Sequence, residues 1–348
     1  MSKIRSIRIA VAFLVVSAAV SVRADVFNMP SGQTSLQFVT VGDSGNASDP
    51  STGYGSVGYA YQMGEYDVTV GQYCQFLNAV ATSGDPYGLY NSWMVAYFSS
   101  CKITQNGTSG SYSYAVAGSA SGRYDMPIFA VTWGDAARFC NWLQNGQPAG
   151  PEGSGTTETG AYTLSGATAV EALMPVNRNT GAEYFIPSED EWYKAAYYKG
   201  GGTNAGYWLY PTQSNAAPSN VLSSTGTNNA NFYISTYCDP TNRLTVVGAF
   251  TGTPGPYGTY DMGGDVFQWN EANSSGFRGE RGGSFGSGHW NQLASTTRYY
   301  EDPRSESAGT GFRVAASEVV PEPGSIALLL AGGFGLAAFA WRNRRLAA

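Results

Sequence analysis

The chain has 348 residues and a formal charge of −6, with only 13% charged side chains beside 45 glycines and 24 tyrosines. Outside its two ends it has no cluster of Lys and Arg, so it lacks the positive footprint with which a protein neutralises phosphates, and this argues against nucleic acid as a partner. Its solvent face must be built from Ser, Thr, Asn, Gly and tyrosine hydroxyls, a composition of the extracellular kind.

Lys3, Arg5 and Arg8 precede the apolar run 9–20, and Val22-Arg23-Ala24 has the small-x-small form of a signal-peptidase site. The run falls short of the ~20 residues that span a bilayer. Residues 1–24 are therefore expected to be a signal peptide, cut by signal peptidase before Asp25.

Next in chain order, 68–80 places Val70, Tyr73, Cys74, Leu77 and Val80 at helical spacings, with Thr69 near the start, which predicts an amphipathic helix. Residues 99–122 are rich in Gly, Ser and Thr and are expected to hold little regular structure. Trp133, Ala136, Ala137, Cys140 and Leu143 predict a second helix over 132–143, followed by a polar loop at 144–166. Ser188-Glu189-Asp190-Glu191 reads as a capping box opening a third helix over 188–198. A further polar loop covers 200–229. Loops this long in a compact domain are functional or specially braced. No internal repeat of solenoid or propeller period occurs.

The four cysteines, Cys74, Cys101, Cys140 and Cys238, are spaced unlike a metal knuckle, and after export an oxidising compartment would allow up to two disulfides among three pairings. At the other end, Pro321-Glu322-Pro323, the apolar stretch 326–341 and the basic group Arg342, Arg344 and Arg345 follow in order. This arrangement resembles the PEP-CTERM tails handled by exosortase-type sorting enzymes in bacteria with an outer membrane. The apolar stretch would form a transient transmembrane anchor with its arginines on the cytoplasmic side.

Several blocks between the two ends resemble one family. They are Gly64-Glu65-Tyr66-Asp67-Val68-Thr69 leading into Tyr73 and Phe76, Met126-Pro127 with Val131-Thr132-Trp133-Gly134-Asp135-Ala136, and Cys140-Asn141-Trp142. Further on stand Ile186-Pro187-Ser188-Glu189-Asp190-Glu191-Trp192 with Ala195-Ala196, then Gly258-Thr259-Tyr260-Asp261-Met262-Gly263-Gly264-Asp265-Val266-Phe267-Gln268-Trp269. Arg281-Gly282-Gly283-Ser284-Phe285 and Gly311-Phe312-Arg313-Val314-Ala315 complete the set. The resemblance is to the formylglycine-generating, sulfatase-modifying family. It implies an α+β, C-type-lectin-like single domain with much irregular structure over 25–316, ahead of the tail at 317–348. Independently of the family, Trp133, Trp142, Trp192 and Trp269 lie beside apolar positions and are expected in the core with their indole N–H groups satisfied.

Family enzymes that oxidise a sulfatase cysteine hold copper with two thiolates just beyond the Arg-Gly-Gly-Ser-aromatic block. Here those positions fall at Ser287 and Gln292, and no cysteine follows Cys238. Copper is therefore not expected, since Cu(I) requires soft sulfur ligands. The related sulfoxide synthases use several histidines, whereas this chain has only His289. Gly282-Gly283-Ser284-Phe285-Gly286 fits the letters of a nucleophile elbow, but no helix pattern follows Ser284. Calcium is the better metal expectation: the resemblance implies ligands at Asn231 with Asp239, and at Asp265 and Gln268, where the family has Asn and Glu.

The expected function is thus an exported surface or matrix protein without catalysis. A groove near Phe285, Ser287, His289, Trp290, Gln292, Arg298 and Tyr299 would recognise a glycan or peptide. The alternatives are an enzyme of divergent chemistry in that groove and a structural component of an extracellular polymer.

Overall fold

A computed structural model describes residues 27–318. The expected signal peptide, and the tail from 319 onward with its expected membrane anchor, lie outside the described residues. Within them no helix is long and apolar enough to cross a membrane.

In chain order the elements are β1 (Phe38–Val41), β2 (Tyr61–Gly64), α1 (Val70–Val80), α2 (Trp93–Ala96), β3 (Lys102–Thr108), β4 (Ser111–Ala117), α3 (Trp133–Gln144), α4 (Val170–Leu173) and β5 (Tyr184–Phe185). They continue with α5 (Glu189–Tyr197), β6 (Phe267–Ser274), β7 (Phe277–Arg281), β8 (Tyr299–Glu301), β9 (Thr310–Gly311) and β10 (Ala315–Ser317). One sheet has the order β1-β2-β10-β5, and a second has the order β8-β7-β6-β9, in which β6 and β9 run parallel.

All three predicted helices form, each entered through a capping box: Thr69 with Gln72, Thr132 with Asp135, and Ser188 with Glu191. In each box the hydroxyl and the side chain three residues on satisfy backbone donors that the first turn cannot pair internally. The apolar stripes of α1 and α3 face each other. Phe76 meets Phe139 at 5.3 Å edge-on, and Tyr73 stacks on Phe139 at 6.2 Å. The four expected core tryptophans are buried with every indole N–H bonded. Trp133 donates to the Asn270 carbonyl, Trp142 to Pro148, Trp192 to Gln268 and Trp269 to Val131.

One expectation is corrected. The segment 99–122 carries the β3–β4 hairpin, paired from Lys102↔Ala117 to Thr108↔Ser111. Its β-branched and aromatic residues outweigh a Gly-rich tip, where Gly107 and Gly110 supply the positive φ of the turn. Of the disulfides that the sequence would allow none is formed: all four cysteines are free, with Cys74 on α1, Cys140 on α3 and Cys101 just before β3 buried. Segment 144–166 remains irregular and is braced from α3. Asn141 donates to the Thr157 and Tyr162 carbonyls and accepts from Tyr162 N–H, and Arg138 forms a buried 2.7 Å pair with Glu158.

Candidate functional site

The segment after β7 holds the positions where the family resemblance places thiolates. Gly282 and Gly283 have φ of 97° and 75°, so the chain turns away from the sheet as soon as Arg281 ends the strand. A Cβ at Gly282 would lie 2.9 Å from the Met262 carbonyl, which keeps this turn against 258–265. Ser287 is buried, and its hydroxyl accepts from Ser284 N–H at 2.9 Å. Gln292 donates to the Tyr299 hydroxyl at 2.8 Å. Ser287 is thus engaged within the protein, and Gln292 is held through its amide N–H while its buried Oε1 has no partner. Burial pushes the thiols up, Cys74 to about 11 and both Cys101 and Cys238 to about 12, which disfavours the thiolate that a soft metal binds. Ser284 is also buried, its hydroxyl accepts from Gly286 N–H, and the next regular element is a 3-10 turn at Trp290–Leu293 rather than the α-helix of an elbow.

The other groove residues separate into groups. Phe285 is buried edge-on against Phe98 at 5.4 Å and beside Tyr237. His289 is exposed, caps the 3-10 turn through Asn291 N–H and lies 3.7 Å from the Trp290 ring. Tyr299 packs edge-on against Phe267 at 5.0 Å. Arg298 turns to the opposite wall, paired with Glu189 at 3.0 Å and donating to the Tyr54 hydroxyl at 2.7 Å. Glu189 also holds the buried Arg281. Sequence proximity suggested one groove; tertiary contacts spend most of these side chains on internal bracing.

The residues implied for calcium behave unequally. Asn231 donates its amide to the Asp265 carboxylate at 2.8 Å and to the Arg243 carbonyl, leaving a buried Oδ1 without a partner. That orphaned oxygen is the kind of donor a hard cation takes. Asp239 accepts from Thr241 and Asn242, forming its own turn. Asp265 accepts from Asn231, Thr245 N–H and the Thr245 hydroxyl, and burial together with nearby Asp261 pushes it up to about 8. Gln268 accepts from Trp192 and Arg313 and donates to the Asp261 carbonyl at 2.7 Å. An amide donating into that carbonyl does the work of a cation there, so the Asp265 and Gln268 position does not fit a metal, whereas Asn231 keeps one oxygen donor free. Among the described residues no group of three or more His, Cys, Asp and Glu side chains could hold a metal ion.

A different surface stands open. Trp93 and Tyr97 occupy i and i+4 of α2 and its cap, so both rings share one face. They are 51% and 45% exposed, while Met94 and Phe98, one position later, are buried. The rings lie 6.2 Å apart and border a depression of about 500 Å³ whose other wall is Arg304 to Ala308. Sequence reasoning missed this pair; its only signal is the i, i+4 spacing of Trp93 and Tyr97, and the opposite wall lies far along the chain.

Residues 19–318 match the sulfatase-modifying factor enzyme 1-like domain, and residues 319–345 match the PEP-CTERM protein-sorting motif. That motif implies recognition by exosortase-type sorting machinery and marks an exported protein sorted to the cell envelope. Solved structures that match the chain include Treponema denticola variable protein 1, at 18% identity and TM-score 0.44, covering 83% of this chain and 98% of that one. CarF matches at 18% identity and TM-score 0.48 over 82% of this chain and 99% of its own. PvdO from Pseudomonas aeruginosa matches at 18% identity and TM-score 0.39, over 77% and 83%. No curated protein sequence matches the chain. The match over 19–318 extends through both sheets and all three capped helices, and the chain belongs to the family of the sulfatase-modifying factor enzyme 1-like domain.

Proposed function

We propose that the protein is a non-catalytic ligand-binding module, exported through its signal peptide and displayed at the cell surface or in the extracellular matrix, with a glycan as its ligand. The observation that carries this reading is the filling of the two thiolate positions: Ser287 and Gln292 are neutral and are each tied into the protein by a hydrogen bond. Neutral oxygen and amide donors hold Cu(I) poorly. Protein purified from its native host is expected to contain no stoichiometric copper and to leave the cysteine of a sulfatase-motif peptide unoxidised. Copper at one equivalent together with peptide oxidation would end the reading.

Calcium belongs to the same proposal, at Asn231 alone of the implied ligands. The region 200–256 is short of apolar burial and is braced by asparagine side chains, with Asn220 donating to the Phe232 and Thr236 carbonyls and Asn228 to Ala216 and Ala217. A cation that binds only the folded form at a hundredfold above its Kd contributes roughly 2.7 kcal/mol. Chelation is therefore expected to lower the melting temperature by several degrees, and Asn231→Ala to remove most of that calcium dependence. Equal melting curves in calcium and chelator would leave Asn231 a structural residue.

The tail completes the proposal as the element that retains the protein on the envelope. Deleting 321–348 is expected to send the domain into the medium, as read by fractionation. Persistent membrane association of the truncated chain would require another anchor.

A further inference from the structure

The depression beside α2 is built rather than incidental. Asn91 accepts from Trp93 N–H at 2.9 Å and donates to the Ala130 carbonyl, and Ala130 N–H donates to the Ser307 carbonyl at 3.1 Å. Ala130 takes a φ of 55° to make both contacts, a conformation that costs a non-glycine residue energy. One residue thus fastens the aromatic wall to the 304–308 wall. Trp133 N–H donates to the Pro303 carbonyl at 3.0 Å, which ties the second wall to the start of α3. Beneath the aromatic wall Phe98 packs edge-on against Phe129 at 4.8 Å. Two large rings are thus held in solvent on a rigid base, where hydrophobic burial would otherwise have drawn them inward.

The polar wall is equally specific. Arg304 is fixed by Asp302 through Nε at 3.0 Å and Nη2 at 2.7 Å, leaving Nη1 free as a donor. Ser305 has a hydroxyl available, and Glu306 is half-buried with no partner among the described residues. We infer that this depression binds an uncharged saccharide, with a sugar ring laid on Trp93 and Tyr97 and its hydroxyls bonded by Arg304, Ser305 and Glu306.

The weakly positive C–H face of a sugar ring complements the negative face of an aromatic ring. A donor, a hydroxyl and a carboxylate acceptor together match hydroxyl groups, which need both roles. The volume lies within the range of small-ligand sites. The charges select against acidic sugars: Asp302 already neutralises Arg304, and Glu306 adds an unmatched negative charge that would repel a uronate. A peptide bound through its backbone would need an edge strand, which α2 and the 304–308 loop do not provide.

This inference rests on the reading of the domain as a binding module, and it names the ligand class and a site outside the groove expected from sequence. The test is calorimetric titration of the full chain, in a detergent without sugar headgroups, with neutral hexasaccharides of the cello, manno, dextran and chito series and with oligogalacturonate of the same length. At least one neutral hexasaccharide is expected to bind more tightly than the uronate. Trp93→Ala and Tyr97→Ala are each expected to weaken it at least tenfold with a melting temperature lowered by no more than a few degrees, because each ring is about half exposed in the free protein. Phe277→Ala, an exposed ring outside the depression, is expected to leave affinity unchanged. Failure of every neutral hexasaccharide to bind, a tighter uronate, or full affinity in Trp93→Ala and Tyr97→Ala overturns the inference. Retention on the host's purified envelope polymer separates the two readings. If the double variant is retained as well as the parent, the binding module stands and this site falls; if the parent is not retained, the module reading falls too.

Discussion

Replacing Arg178 by methionine is expected to lower the unfolding free energy by about 2 to 4 kcal/mol, since one partner of the bridge, Glu191, is fully buried while Arg178 and Glu271 are only partly so. Arg178 bridges Glu191 and Glu271, each at 2.7 Å, and its guanidinium lies 3.5 Å from the centre of the Phe185 ring. Both carboxylates serve other contacts as well. Glu191 closes the capping box of α5 and accepts from the Tyr59 hydroxyl, and Glu271 accepts from the Tyr162 hydroxyl at 2.7 Å. One cation therefore joins the start of α5, the β5 strand and β6. Methionine would keep the packing on Phe185 but leave two facing carboxylates with no positive charge between them. Burial raises Glu191, yet hydrogen bonds and attraction from Arg178 outweigh it and hold the carboxyl below its usual range. Its stabilising contribution is present above the unfolded pKa and is lost as pH falls through the lower folded value. Urea denaturation at neutral pH measures the effect, and Glu271→Gln added to Arg178→Met is expected to restore part of the loss. A change below about 1 kcal/mol, the scale of an exposed pair, would show that the bridge is not buried in the energetic sense.

The second large effect is a loss of stability on the alkaline side. Burial pushes Glu280, on β7, up to about 8, helped by the nearby Glu301 and opposed by a hydrogen bond with Thr310. Burial and the facing Asp85 push Glu152 up to about 9, and burial raises Asp135 to about 7. For each group the folded state keeps a proton that the unfolded state has released. Stability is therefore full below the unfolded pKa and falls as pH rises to the folded value, by about 1.4 kcal/mol per pH unit and per group. For Glu280 alone the integrated ceiling is about 5 kcal/mol. The melting temperature is expected to be highest near pH 4 to 5 and to decline toward pH 9. Glu280→Gln keeps the shape without the charge, so it is expected to match the parent at pH 5 and to exceed it by about 2 kcal/mol or more at pH 8.5. A parent profile flat from pH 6 to 9, or a variant that gains nothing there, would contradict this account.

What the sequence determined by itself was local or carried by short-range pattern. The three helices followed from apolar spacing and from Thr69, Thr132 and Ser188, since a cap and a stripe lie within a few residues of one another. The burial of Trp133, Trp142, Trp192 and Trp269 followed from the same neighbourhoods, and the family blocks carried the fold. The β3–β4 hairpin was hidden by composition, because Gly and Ser at its tip look like loop until the strands pair. The candidate site was decided by the tertiary structure alone. Arg298 was read beside Tyr299 but is held by Glu189, and Asn231 was matched with Asp239 but meets Asp265. Trp93 and Tyr97 acquire a second wall through the bonds of Ala130 to Ser307 and of Trp133 to Pro303. Spacing along a chain fixes which side chains share a face of one element. Which faces meet depends on long-range packing that satisfies buried charges and carbonyls, and a linear pattern does not encode that pairing.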